Sequence, residues 1–408
     1  MRIEIPRRLL VWGVIAIAAV LGFGGILATQ SRRAQERWST FLAASPVQGR
    51  AIFKSKGCVR CHAVNGVGGT LAPDLGRSQP AQSSVAQLVT AMWNHAPQMW
   101  DRMRVEKVSY PSLTYEEVAQ LLAYLYISRR ADEAGDAAHG KQLFAAKGCV
   151  RCHAVHGQGG TVGPDLAEVT GVNTPMAWTQ AMWNHGSVMQ AHMHDAGVEW
   201  PRFEGHELRD LFAYARQVSK PQPLAGDPEH GWKVFQGKSC TSCHAIKDEE
   251  GERVGPNLGP SRNLPPTFTQ FGSLMWNHAP QMERAMRERG IERPQFGGEE
   301  MADLFAFLYS LRYVEPTGSP HVGESVFSWR GCSRCHGAEA QGTGRAPALR
   351  GRGRSYTSVA LATELWAHGG RMYRESQQIG IGWPTLSESD VGDLLAFLNA
   401  PVQQSAHK

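Results

Sequence analysis

The sequence predicts an all-α chain: an N-terminal membrane-spanning helix followed by four small helical domains in tandem. Three observations carry this. All eight cysteines fall in one pentapeptide that recurs four times, helical patterns bracket every copy, and a 20-residue run without charge precedes the first. A length of 408 residues suits two to four domains. With 42% hydrophobic and 19% charged residues, the chain is neither disordered nor a multi-span membrane protein. A formal net charge of +5 is too weak to argue for nucleic acid as a partner.

Leu9 to Ala28 (LLVWGVIAIAAVLGFGGILA) is long enough to cross a hydrocarbon layer about 30 Å thick as a helix. The alternative is a cleaved signal peptide, whose apolar region usually spans about 7–15 residues. Arg2, Arg7 and Arg8 precede the run and Arg32, Arg33 and Arg37 follow it, so charge alone does not orient it.

The pentapeptide is C-x-x-C-H: Cys58/Cys61/His62, Cys149/Cys152/His153, Cys240/Cys243/His244 and Cys332/Cys335/His336. Successive first cysteines lie 91, 91 and 92 residues apart, and none is left over for a disulfide. Such a motif reads as covalent haem c attachment, two thioether sulfurs plus a proximal His on iron, four haems in all. A thioredoxin-like pair would need a βαβ context. A zinc ribbon pairs its C-x-x-C units but gives no reason for a His after each second Cys. Haem is joined to this motif outside the bacterial cytoplasm. The expectation is therefore a single pass through the inner membrane with the haem domains in the periplasm.

Each copy opens with Gly-x-x-x-Phe, at Gly49/Phe53, Gly140/Phe144, Gly231/Phe235 and Gly323/Phe327. That spacing puts both residues on one face of a short helix. Each ends, after a Pro (Pro111, Pro201, Pro294, Pro384), in an amphipathic helix such as VAQLLAYLY or VGDLLAFL, whose natural partner is the Gly/Phe face. Polar stretches bearing Pro or Gly separate the copies. The expected domains are 47–131, 132–222, 223–315 and 316–408, behind a 1–46 tip, anchor and linker. Linkers this short place neighbouring domains side by side.

This arrangement resembles the class I c-type cytochromes, and within them the small haem modules of membrane-anchored oxidase subunits. The resemblance covers about residues 47–400. It implies four tandem class I cytochrome c-like haem domains. It also implies that the carbonyl of a Pro 11 or 12 residues after each proximal His (Pro73, Pro164, Pro256, Pro347) accepts a hydrogen bond from that ring.

The sixth ligand comes from a recurring W-[N/A]-H-x-x-x-M: Trp93/His95/Met99, Trp183/His185/Met189, Trp276/His278/Met282 and Trp366/His368/Met372. Met372 is the only Met after the fourth haem motif, so a common design selects Met99, Met189, Met282 and Met372. The rival is the adjacent His. Gly186 and Gly369, or Ala96-Pro97 and Ala279-Pro280, follow that His and suit a helix end there, which favours Met. The family often sets its Met directly before the Pro of the last helix, whereas here 12 residues intervene. The four Trp indoles either donate to a haem propionate or serve as core aromatics. Other histidines, His139 and His230 among them, are expected at the surface.

Four saturated irons leave no open position for substrate, and no base or nucleophile recurs. The expected function is one-electron relay between respiratory or photosynthetic redox partners, with no catalytic residue and no small-molecule substrate. The alternative is a peroxidase or nitrite-reductase type of haem enzyme, which needs one open iron. Arg345, Arg350, Arg352 and Arg354 follow the fourth motif and are a candidate docking patch for an acidic partner.

Overall fold

Four times over, the chain builds the same three-helix repeat. The first comprises α1 (Pro46–Ser55), α2 (Val85–Val105) and α3 (Tyr115–Ser128). The second comprises α4 (Ala137–Ala146), α5 (Pro175–Asp195) and α6 (Glu207–Arg216). The third comprises α7 (Pro228–Gly237), α8 (Phe268–Glu288) and α9 (Glu300–Ser310). The fourth comprises α10 (Pro320–Trp329), α11 (Ser358–Gln378) and α12 (Glu388–Asn399). Two minute antiparallel pairs, Ala63–Val64 with Val67–Gly68 and Ala154–Val155 with Gln158–Gly159, are the only strands among the described residues. This computed structural model describes residues 44–77, 84–216, 226–246, 254–259, 264–313 and 315–402. The expected span Leu9–Ala28 lies outside them, and no helix among the described residues is long and apolar enough to cross a membrane.

The first and third helices of every repeat cross at the expected glycine. A Cβ at Gly49 would stand 2.0 Å from the Gln120 carbonyl oxygen, and at Gly140, Gly231 and Gly323 it would meet the carbonyls of Asp210, Asp303 and Asp393 as closely. Only a residue without a side chain lets the two backbones approach this far. One turn on, the Phe meets an aromatic of the third helix: Phe53 with Tyr124, Phe144 with Tyr214, Phe235 with Phe307 and Phe327 with Phe397, centroids 5.4–5.8 Å apart.

A cation at the end of each first helix ties it to the first turn of the third. Lys56 reaches Glu117 (2.8 Å), Lys147 Glu207 (2.7 Å), Lys238 Glu300 (3.0 Å) and Arg330 Asp390 (2.7 Å). The hydrogen bond from Lys56 holds Glu117 below the usual carboxylate range. Burial pushes Glu300 and Asp390 upward, but the Gly297 and Ser387 amides with Lys238 and Arg330 outweigh it and leave both lowered.

Each middle helix runs 21 residues without a break. This corrects the expected helix end at His95, His185, His278 and His368. Pro97 and Pro280 lie inside their helices. The stop comes later, at left-handed Lys107, Gly197, Gly290 and Gly380. The small residue after each His serves packing instead. A Cβ at Gly369 would lie 2.7 Å from the Trp100 ring, and at Gly186 2.6 Å from the Arg293 guanidinium.

Those neighbours belong to other repeats. Helix α2 packs on α11, and α5 on α8. Trp93 Nε1 donates to Pro384 O (2.7 Å) and Trp366 Nε1 to Pro111 O (2.9 Å). Trp183 likewise donates to Pro294 O (2.8 Å) and Trp276 to Pro201 O (2.7 Å). The Trp indoles are thus committed to a neighbouring repeat's backbone rather than to a haem propionate. The residue before each of these prolines lies over the same ring: Tyr110 on Trp366, Trp200 on Trp276, Trp383 on Trp93, and the Arg293 guanidinium on Trp183. Next to each Trp, Asn94 both donates to and accepts from the Leu386 backbone, as Asn184 does with Phe296 and Asn277 with Phe203. In the fourth repeat Ala367 stands at this position and Leu113 has no such clamp. The repeats therefore associate as 1 with 4 and 2 with 3, so the first repeat clasps the last rather than its sequence neighbour.

Two outcomes follow from these contacts. Because the Glu117, Glu300 and Asp390 pKa values are lower folded than unfolded, their stabilisation is complete above the unfolded values of about 4. It is lost as pH falls through the folded values, so thermal melts are expected to drop steeply below about pH 4. Ala367→Asn restores the missing clamp onto Leu113, and a gain of about 1 kcal/mol is expected in thermal or denaturant unfolding.

Candidate haem-binding site

Each first helix ends in a left-handed residue, Gly57 (φ 83°), Gly148 (φ 80°), Ser239 (φ 60°) or Gly331 (φ 79°). That residue swings the chain into a tight turn holding both cysteines. The turn closes by a bond from the His amide to the first Cys carbonyl, 2.9–3.0 Å in all four repeats. The thiols are unpaired and part-buried. Burial raises Cys149, Cys240 and Cys332 to about 11 and moves Cys58 the same way. Among the described residues no three His, Cys, Asp or Glu side chains converge on a metal position, so the C-x-x-C pairs do not join into zinc ribbons.

The imidazole is oriented from outside the motif. His62 Nδ1 lies 2.9 Å from Pro73 O, His153 Nδ1 3.0 Å from Pro164 O, His244 Nδ1 2.9 Å from Pro256 O and His336 Nδ1 2.9 Å from Pro347 O. A carbonyl only accepts, so Nδ1 carries the proton and Nε2 keeps its lone pair for a metal. Burial, aided by the nearby His278, lowers the His244 pKa and keeps that ring neutral. The residue before the Pro must be small, since a Cβ at Gly163 would sit 2.4 Å from the His153 ring.

The loop that presents the Pro carbonyl is held from two sides. Asp74 accepts from the amides of Asn65, Gly66 and Gly76, and Asp165 from those of His156, Gly157 and Ala167. From the far side, Arg129 Nε donates to Leu75 O, while Arg216 Nη1 donates to the carbonyls of Leu166, Ala167 and Val169 (2.8–3.1 Å). Sequence reasoning missed these arginines, although an Arg at the end of the last helix in repeats 1, 2 and 3 (Arg129, Arg216, Arg312) was a visible signal. His139 and His230 are exposed as expected, and their Nδ1 atoms also bind the largely buried Asp210 and Asp303 at 2.8 and 2.6 Å, contacts that sequence reasoning missed.

On the middle helices, Met99, Met189, Met282 and Met372 are all part-buried, and His95, His185, His278 and His368 are exposed. Met189 packs against the same apolar cluster as Cys149, and Met372 against the same cluster as Cys332. His95, His185 and His278 donate Nδ1–H to the carbonyl four residues back (2.8–2.9 Å). His368 differs: its Nε2, the atom a ligand would offer, contacts Glu364 at 3.2 Å. Of the candidate docking arginines, Arg345, Arg352 and Arg354 are exposed. Arg350 instead bonds the carbonyls of Ala400 and Pro401, and Arg354 pairs with Glu364.

The family model for cytochrome c matches residues 46–126, 137–219 and 322–400. The chain belongs to the cytochrome c family. No curated protein and no solved structure matches this cytochrome. Membership implies covalently bound haem c, and the residues present fit it: paired thiols on one turn, and an imidazole whose Nε2 is left free by its Pro carbonyl bond. The third repeat, between the matched regions, has the same glycine crossing, Cys turn and His–Pro bond.

Arg216→Leu leaves three loop carbonyls of the second site without their donor. A loss of about 1–3 kcal/mol is expected in the unfolding of that repeat, read by denaturant titration.

Proposed function

We propose that this cytochrome is a membrane-anchored tetrahaem electron carrier. It passes single electrons between a respiratory or photosynthetic membrane complex and another redox protein on the periplasmic side. The observation that supports it best is the fourfold recurrence of one coordination geometry, the His Nδ1–Pro carbonyl bond of 2.9–3.0 Å behind a Cys-x-x-Cys turn. Haem iron supplies the one-electron chemistry. The chain's part is to hold the proton on Nδ1 and to offer a soft sulfur ligand, which in repeats 2 and 4 packs on the apolar core.

The assignment carries Cys58, Cys61, Cys149, Cys152, Cys240, Cys243, Cys332 and Cys335 as attachment points. The iron ligands are His62 with Met99, His153 with Met189, His244 with Met282 and His336 with Met372. Repeat 4 supports Met over His, because His368 Nε2 is engaged by Glu364. Met/His ligation raises the potential of a haem. The third repeat is read as a fourth cytochrome c domain, with boundaries at 47–131, 132–222, 223–315 and 316–408. The uncharged run Leu9–Ala28 supports the single inner-membrane anchor.

Protein made in a host competent for cytochrome c assembly is expected to contain four covalent haems. Each should show the weak Met–iron absorption band, and none should bind carbon monoxide rapidly. Three haems would remove the third site, bis-imidazole spectra would move the sixth ligand to the neighbouring His, and fast carbon monoxide binding at one iron would replace the relay with an enzyme.

A further inference from the structure

The clasped repeats order the haem sites differently from the chain. Trp93, from repeat 1, is a buried member of the apolar cluster of repeat 4 that packs on Cys332. Trp276, from repeat 3, occupies the same place in the cluster of repeat 2 that packs on Cys149. Each of these indoles is therefore part of the apolar core on which a partner repeat's haem-attachment turn packs. No such bridge joins repeats 1 and 2 among the described residues.

The two pairs meet at repeat 3. Arg130, just past α3, accepts from the Phe268 amide at the start of α8 (3.1 Å) and lays its guanidinium over Tyr309 (5.5 Å). Asp132 then caps the same helix through the Thr269 amide (3.0 Å) and hydroxyl (2.6 Å). Past α9, Glu315 likewise caps α11 of repeat 4 through Ser358 (2.7 Å to the hydroxyl). Charge sorts with the pairs. Residues 47–131 and 316–408 carry +5 and +2, whereas 132–222 and 223–315 carry −3 each.

We propose that the four haem sites work as two dihaem units, a basic one of repeats 1 and 4 and an acidic one of repeats 2 and 3. Electrons cross between the units through repeat 3. This rests on the electron-relay reading. Each step moves one electron from a ferrous to a ferric haem and needs no proton or further reactant. Within a unit the Trp–Pro carbonyl clamp sets the separation, so the route out of repeat 2 leads to repeat 3 and not to repeat 1.

The test uses the full tetrahaem chain with a ruthenium photoreductant on a single added cysteine, Lys141→Cys in repeat 2 or Glu324→Cys in repeat 4. After flash injection the first absorbance phase reports the labelled haem, and the second reports spread to others. From the repeat 2 label, Trp276→Phe is expected to slow the second phase about tenfold while Trp93→Phe leaves it unchanged. From the repeat 4 label the two variants exchange roles. Hydrogen exchange at 201–203 should quicken in Trp276→Phe, which checks that the clamp itself has loosened. Should either Trp variant fail to assemble, Asn277→Ala and Asn94→Ala loosen the same clamps with both rings in place. Equal slowing from both labels, or none from either, overturns the pairing. Injection that never spreads beyond the first haem in the parent chain overturns the relay reading instead.

Discussion

Everything in a repeat depends on how closely its first and third helices cross. At Gly49, Gly140, Gly231 and Gly323 one helix backbone rests on a carbonyl of the other. The crossing fixes where the first helix ends, and therefore where its left-handed residue releases the two cysteines and the His. The Lys–carboxylate pairs and the Phe–aromatic contacts lock the same crossing from either side. A repeat of about 90 residues buries too little apolar surface to be generous with stability. Concentrating its tight contacts at one crossing keeps the metal-binding turn rigid even so.

The middle helices belong to a different level of organisation. Their 21 residues are longer than one repeat needs, and the surplus is spent between repeats, where Trp and Asn fasten onto the segment following a partner's Pro. An unpaired indole N–H or amide in such a place would be expensive, which explains why the donor and acceptor appear together. The inserted stretch between each Met and its Pro, a departure from the usual family pattern, holds the last six residues of this helix and the loop that leads to the Pro acceptor.

Much of this was legible in the sequence. The helix pairs and the glycine contact recur in each repeat and needed only comparison of the copies, whereas the His–Pro carbonyl bond was expected from the resemblance to class I cytochromes. The middle helix was misread because Gly186, Gly369, Pro97 and Pro280 carry a local stop signal that tertiary packing overrides. The partner choice could not be read at all. All four copies present nearly the same Trp motif and the same Pro acceptor, so local sequence permits several pairings. Ala367 is the lone hint in the motif, since it marks one clamp out of four as unlike the rest.

Clasping the first repeat to the last gives the chain an unusual mechanical layout. Tension applied between residues 46 and 400 would be borne first across the α2–α11 seam. While that seam holds, the polypeptide between those helices, with its two central repeats, forms a closed loop outside the line of force, and only its opening passes the load to the inner pair.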